Sequence, residues 1–122
     1  MERFQEFSQN GKNFIYIDFS GFTTNEEFLA TTDAVKNTIA RYPEKSVYTI
    51  TNIDNVRFDT NSKEIVAKYM TENKPYVKYG VVIGLDGIKK MLVQTVMKLC
   101  GRKNLFFTFT KERAIELLTQ LE

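Results

Sequence analysis

The residues of this chain that are best suited to chemistry lie in one polar turn, between a predicted strand and a predicted helix. The turn holds the carboxylate, hydroxyl and amide side chains of Asp59, Thr60, Asn61 and Ser62, and Lys63 follows them. A helix that begins near Asn61 places Ser62 in its first turn, where free backbone N–H groups and the helix dipole attract anions. We therefore take these five residues as the candidate interaction or phosphorylation turn. The alternative is that they only cap the helix.

The composition lacks the residues on which most common catalytic and metal-binding sites depend. The chain has no His, the usual general base near neutral pH, and a single Cys, Cys100. One Cys cannot form a Cys-rich zinc site or an intramolecular disulfide. No glycine-rich nucleotide-binding motif and no G-x-S-x-G motif occurs. We therefore expect a non-enzymatic protein without catalytic residues, cofactor or metal, and a hydrolase is the weaker alternative.

The length and composition indicate one globular domain that spans residues 1–122. The chain has 122 residues, of which 43% are hydrophobic and 26% are charged. A disordered chain has fewer apolar residues, and a second core of ordinary size needs a longer chain. No signal-peptide pattern begins the chain, and no apolar run approaches the ~20 residues of a membrane span. Together with the single Cys, these features predict a cytoplasmic protein without a membrane span.

The net charge of +2 is too small to predict nucleic-acid binding, but the basic residues are unevenly distributed. A group of them in the second half of the chain forms either a solvated helix face or a surface for an anionic partner. Its members are Lys89, Lys90, Lys98, Arg102 and Lys103.

Hydrophobic periodicity predicts five strands and four helices in the order ββαβαβαβα. The dipeptide Asn10-Gly11 separates the first two strands as a type I′ hairpin turn, because it tolerates positive φ at both central positions. Strands that alternate with helices indicate a mostly parallel sheet, to which the hairpin adds an antiparallel edge. The fold class is therefore α/β, a five-stranded mixed sheet with four helices. The predicted strands cover residues 4–8, 13–19, 46–53, 79–85 and 105–109.

Side chains that cap helices mark where each predicted helix begins. The first helix starts at Thr24, which has capping-box spacing with Glu27. The second starts near Asn61, with Glu64 at the same spacing. The remaining boundaries are the N-cap residues Asp86 and Thr110 and the glycine Gly101 at the end of the third helix.

The element order and the stretch 54–65 resemble the STAS/SpoIIAA-like domains, the fold of bacterial anti-sigma factor antagonists. In that family the third strand is followed by a pattern of the form Asp-x-Ser-x-Val-x-Phe-x-Asp-Ser-Ser-Gly-Leu. Val56 and Phe58 occupy its apolar positions, and Ser62 occupies the position of the second Ser. After Phe58, the positions that differ are Thr60 for the second Asp, Asn61 for the Ser that follows it, Lys63 for the Gly and Glu64 for the Leu.

The resemblance implies a regulatory role. In the family a partner kinase phosphorylates the second Ser of the pattern, and phosphorylation releases the partner. For this chain the resemblance therefore implies a protein-interaction module that contacts its partner through the turn at 59–64, with Ser62 as the phosphorylated residue. The missing Asp and Gly indicate the divergent SpoIIAA-like branch, which is sometimes grouped with lipid-transfer domains.

The third predicted helix, IKKMLVQTVMKLC, carries more apolar surface than contact with one core requires. Its apolar residues cover an arc of roughly 240° on an ideal helix, whereas about 100° is enough for a helix on a core. Val93, Met97 and Cys100 lie to the side of the main stripe. They pack against a neighbouring helix, form a homodimer face, or bind a small apolar or lipid-like ligand along residues 88–100.

Overall fold

The computed structural model describes residues 3–59 and 61–121, apart from the side chain of Ile88, and has the element order ββαβαβαβα. The strands are β1 (Phe4–Gln9), β2 (Lys12–Asp18), β3 (Val47–Asn52), β4 (Val77–Ile83) and β5 (Leu105–Phe107). The helices are α1 (Asn25–Ile39), α2 (Ser62–Asn73), α3 (Gly87–Cys100) and α4 (Lys111–Gln120). The strands form one sheet in the order β1-β2-β3-β4-β5, antiparallel between β1 and β2 and parallel elsewhere. The predicted α/β fold class is confirmed.

The two faces of the sheet carry separate cores. Ile15 and Ile17 of β2 belong to the larger core, which α1, α2 and α3 cover, whereas Phe14 belongs to the smaller core under α4. All three side chains are fully buried, because β2 lies between β1 and β3 and has helices on both sides. Alternation along a strand sends successive side chains to opposite faces, which accounts for this division.

Aromatic side chains form a continuous row across the smaller face. Each strand contributes one ring, and the centroids of neighbouring rings are 5.1, 5.7, 6.3 and 6.0 Å apart. Aromatic pairs at such distances contribute about 0.5–1.5 kcal/mol beyond the burial of their area. The row therefore ties all five strands together on the side that only α4 covers. Its members are Phe7, Phe14, Tyr48, Tyr79 and Phe106.

The turns and helix ends follow the predicted local chemistry at most positions. Asn10 and Gly11 have φ of 53° and 76° in the hairpin turn, and Thr24 and Glu27 form a complete capping box at α1. Asp86 and Thr110 each accept a hydrogen bond from a backbone N–H in the first turn of α3 and α4, respectively. Gly101 ends α3 with φ 68°, in the left-handed conformation that favours glycine.

Two strands differ from their predicted extents by two residues at an end, and the other three differ by one. β4 begins at Val77, two residues early, because it pairs with Val47 of β3. It ends before Gly84, whose φ of 83° turns the chain out of the sheet. β5 is shorter than predicted because the chain leaves the sheet to bring Thr110 into the extended N-cap conformation of α4. Phe109 is consequently 93% exposed instead of paired in a strand.

Candidate functional site

The candidate turn lies at the edge of the sheet where the parallel strands end, which is where α/β folds usually bind their ligands. The loop that leads from β3 to α2 is anchored to the rest of the domain. The backbone N–H of Ile53 bonds to Ile83 at 2.9 Å, and that of Arg57 bonds to Phe22 at 3.0 Å. Val56, an apolar position of the family pattern, is 7% exposed in the larger core. The turn is therefore presented from a fixed base.

Asp59, not Asn61, caps the beginning of α2. Its Oδ1 atom accepts hydrogen bonds from the backbone N–H groups of Asn61 at 2.8 Å and Ser62 at 3.2 Å. Asn61 is already helical, with φ −89° and ψ −16°, and its side chain makes no capping bond. The predicted capping box with Glu64 is therefore wrong, and the cap comes from Asp59, a neighbour of Asn61. The reason is that Asn61 already has helical φ and ψ before α2 begins at Ser62, so the acceptor comes from Asp59.

A second helix supports the same carboxylate. The side-chain amide of Asn25, the first residue of α1, donates to Oδ1 and Oδ2 of Asp59 at 3.2 Å each. These hydrogen bonds from Asn25, followed by the backbone N–H groups of Asn61 and Ser62, lower the pKa of Asp59 below its ordinary 3.8. Asp59 is therefore an exposed and firmly ionised group. Sequence reasoning did not identify Asn25, since no local pattern connects it with a residue so distant in the chain.

Ser62 lies inside this network and is only 3% exposed. Its Oγ atom accepts a hydrogen bond from the backbone N–H of Asp59 at 2.8 Å. The same hydroxyl lies 3.2 Å from both Asn25 Oδ1 and Asp59 Oδ1 and can donate its proton to one of them. The residue that the resemblance implies as phosphorylated is thus a buried hydroxyl with its hydrogen-bonding capacity in use.

The surface of the turn is formed by the remaining candidate residues. Asp59, Asn61 and Lys63 are exposed, and Thr60 lies outside the described residues. Carboxylate, amide and ammonium groups of Asp59, Asn61 and Lys63 therefore face solvent beside the Asn25–Asp59–Ser62 network. Such a surface offers directional hydrogen bonds and both signs of charge to a partner.

The basic residues of the second half do not form one surface. Lys89 is 8% exposed and Arg102 is 4% exposed, so both are buried. The Lys89 ammonium group donates to the carbonyl of Ile53 at 3.0 Å, at the beginning of α3. Lys98 is nine residues further along this helix, about 14 Å at 1.5 Å per residue. The predicted common face for Lys89, Lys90, Lys98, Arg102 and Lys103 is therefore wrong, because packing places two of its members in the interior.

Val93, Met97 and Cys100 lie on the side of α3 that faces the rest of the protein. Val93 is 3% exposed in the larger core, and Met97 and Cys100 are half-buried against it. The Cys100 thiol lies 3.3 Å from the Thr71 hydroxyl and 3.5 Å from the Ala67 carbonyl, both on α2. Packing between α2 and α3 thus accounts for these contacts. A dimer face or a ligand face at Val93, Met97 and Cys100 stays a prediction.

The described residues contain neither a cluster of metal ligands nor a membrane-spanning helix. Within residues 3–59 and 61–121, no three Cys, Asp or Glu side chains converge as metal ligands do. Over the same ranges, none of the helices has the length and apolar character that a bilayer crossing requires.

Comparison with solved structures identifies the fold. The chain superposes on an anti-sigma-factor antagonist (STAS) domain protein from Planctomyces limnophilus with a TM-score of 0.58 and 8% sequence identity. The superposition covers 94% of this chain and 97% of that protein. This chain has a STAS-like fold. No protein-family model matches the sequence, and no curated protein matches it.

The STAS-like fold agrees with the resemblance that was drawn from the element order and from residues 54–65. At 8% identity the comparison establishes the architecture and nothing about binding. The function of the turn therefore depends on the chemistry of its own residues, which differ from the family pattern at Thr60, Asn61, Lys63 and Glu64.

Proposed function

We propose that this protein is a regulatory protein-interaction domain of the cytoplasm, not an enzyme, and that it binds a protein partner through the turn of Asp59, Asn61 and Lys63. The observation that supports this proposal most directly is the Asn25–Asp59–Ser62 network. It fixes Asp59 and Ser62 against α1, and a preorganised surface loses less conformational entropy when it binds.

The chemistry of the turn favours a protein partner with both charged and hydrogen-bonding groups. Asp59 presents a carboxylate whose pKa is lowered, so it stays ionised through the neutral range. Lys63 adds a cation four positions later, at the beginning of α2, and both side chains are exposed. Opposite charges so close together favour a complementary protein surface over a uniformly anionic polymer or membrane. The STAS-like fold supports the same class of function, since domains of that fold act as anti-sigma factor antagonists.

Regulation by phosphorylation of Ser62 is a finer part of this proposal, and it requires the turn to open. The hydroxyl is buried, and the Asp59 carboxylate lies 3.2 Å from it. A phosphate group at this position would meet a like charge, and its repulsion would break the capping network. Phosphorylation of Ser62 would therefore disorder the turn and release a partner bound to it. Mass spectrometry of the protein purified from its native host, with and without phosphatase treatment, tests this step.

The interaction surface can be tested once the partner has been captured and purified. The partner is identified by affinity capture with the unmodified chain, and its Kd is then measured by calorimetry. We expect Asn61→Arg and Lys63→Glu to weaken binding at least tenfold, because each changes an exposed side chain at the proposed contact. Lys103→Glu is the matched control, since it makes the same charge change at an exposed position outside the turn.

The proposal is wrong if the purified partner binds both turn variants with the affinity of the unmodified chain. It is equally wrong if Lys103→Glu weakens binding as much as Lys63→Glu, because the effect would then follow net charge and not position. Circular dichroism of each variant establishes that the fold is intact before binding is measured.

A further inference from the structure

A cavity of about 40 Å³ lies between the sheet and helices α2 and α3, on the larger face of the sheet. Most of its wall is apolar, but polar side chains from α2 and from the end of α3 also line it. The residues that matter here are Phe19, Val66 and Val93 on the apolar side and Tyr69, Asn73 and Arg102 on the polar side. The cavity is lined by none of the turn residues 59–63, although Phe58, which precedes the turn, is part of its wall.

The hydroxyl of Tyr69 is buried and makes no hydrogen bond of normal geometry within the described residues, although the side chain of Thr51, which also lines the cavity, is near enough to lower its pKa slightly. Burial raises the pKa of Tyr69 to about 12, so the group is a neutral donor at physiological pH. A buried donor without an acceptor costs roughly 1–3 kcal/mol, and such groups are rare in folded proteins. An acceptor inside the cavity would remove this cost.

Arg102 places an uncompensated positive charge beside the same cavity. The residue is 4% exposed, and its guanidinium donates to Asn104 Oδ1 at 3.0 Å, Met70 O at 2.9 Å and Asn73 Oδ1 at 2.6 Å. All three acceptors are neutral, and no carboxylate of the described residues pairs with Arg102. Buried charges in proteins are usually paired, since desolvation of an unpaired ion is costly.

We propose that this cavity binds a small monocarboxylate, with its carboxylate between Arg102 and the Tyr69 hydroxyl and its alkyl end against Val66 and Val93. The carboxylate supplies the missing counter-charge and the missing acceptor at once. Water would satisfy Tyr69 but would leave the charge of Arg102 unpaired.

The volume of the cavity limits the size of the ligand. A cavity needs a volume of about 10–15 Å³ to hold one water molecule. This cavity of about 40 Å³ therefore holds roughly three groups of that size. Acetate and propionate agree with this limit. A six-carbon acid exceeds it and could enter only if α2 moved away from the sheet.

Titration of the ¹⁵N-labelled protein, followed by NMR, tests this proposal with acetate and propionate as the probes. We expect saturable shifts of the Arg102 side-chain N–H and of the backbone N–H groups of Tyr69 and Val93. Propionamide, a neutral molecule of the same shape, and hexanoate should bind at least tenfold more weakly. Sodium chloride at matched ionic strength should give no saturable shift.

Two variants separate binding from folding. Tyr69→Phe keeps the ring and removes the hydroxyl, so propionate affinity should fall about tenfold, as expected for one hydrogen bond to a charged acceptor. Val93→Ile adds one methylene group to the wall and should reduce binding while the hydroxyl remains. Tyr79→Phe, the same change in the smaller core, is the control and should bind propionate as the unmodified chain does.

The proposal is overturned if propionamide binds as tightly as propionate, or if Tyr69→Phe binds propionate with unchanged affinity. It is also overturned if a crystal soaked in propionate contains only water in the cavity. These results are independent of the partner experiment, because the variants used there alter only exposed residues.

Discussion

The side-chain amide of Asn25 donates hydrogen bonds to both carboxylate oxygens of Asp59, at 3.2 Å each. The two residues are 34 positions apart in the chain, and they join the beginning of α1 to the turn before α2. This contact holds the carboxylate where it caps α2. The conformation of the candidate turn therefore depends on α1 as well as on the turn's own sequence.

Replacement of Asn25 by Ala should raise the pKa of Asp59 toward its ordinary 3.8, since the amide is the largest cause of the lowered value. Because the folded-state pKa is lowered, the stability that ionised Asp59 contributes is present above pH 3.8 and is lost as the pH falls through the folded-state value. The variant should lose part of this acid dependence. An NMR titration of the Asp59 carboxyl carbon measures the pKa. Asn37→Ala, at an exposed position of α1, should leave it unchanged, and an unchanged pKa in Asn25→Ala would contradict the assigned role.

Replacement of Ser62 by Ala should lower the free energy of unfolding by about 1–2 kcal/mol, because it removes the acceptor for the Asp59 backbone N–H. Ser62→Glu should be more destabilising, since the site is buried and a second carboxylate would lie beside Asp59. Urea unfolding measures both effects. The control is Lys63→Ala, an exposed neighbour, which should change stability by less than about 0.5 kcal/mol. Equal stabilities for Ser62→Ala and Ser62→Glu would show that the hydroxyl is not buried in solution.

Replacement of Gly80 by Ala should destabilise the protein by about 1–3 kcal/mol through overpacking. A Cβ atom at Gly80 would lie 2.6 Å from Thr49 Oγ1 and 2.7 Å from Leu105 Cδ2, so these two side chains would have to move within a packed interior. Thermal unfolding measures the loss. Gly87→Ala makes the same change where a Cβ atom meets nothing within 4 Å, and it should be close to neutral. A Gly80→Ala protein as stable as Gly87→Ala would contradict the close packing of Thr49 and Leu105 against Gly80.

The buried Tyr69 hydroxyl predicts a loss of stability at alkaline pH. Burial raises its pKa from 10.0 to about 12 in the folded protein. The stability of the protein therefore does not depend on Tyr69 ionisation below pH 10. It falls as the pH rises from 10 toward 12, because in this range Tyr69 ionises in the unfolded chain but not in the folded protein. The loss is on the order of 2–3 kcal/mol at 1.36 kcal/mol per pKa unit. Urea unfolding across this range should show a weaker pH dependence for Tyr69→Phe than for Tyr79→Phe. Parallel curves for the two variants would mean that Tyr69 titrates normally.

The sequence alone was sufficient to predict the turns and helix ends that depend on residues close together in the chain. The hairpin at Asn10-Gly11, the capping box of Thr24 and Glu27, and the end of α3 at Gly101 all agree with the structure. In each case the interaction spans a few positions, so the residue types carry the information. The element order, and with it the STAS-like fold, followed from the same local signals.

Only the tertiary structure decided which polar residues are buried and which of them meet. Asp59 caps α2 because Asn25 of a distant helix holds its carboxylate, and Ser62 is buried because the same network encloses it. Arg102 looks like a surface cation in the sequence, yet packing between α2 and α3 places it in the interior. Burial and contact between distant residues arise from how helices pack on the sheet, and no periodicity within a single element encodes that arrangement.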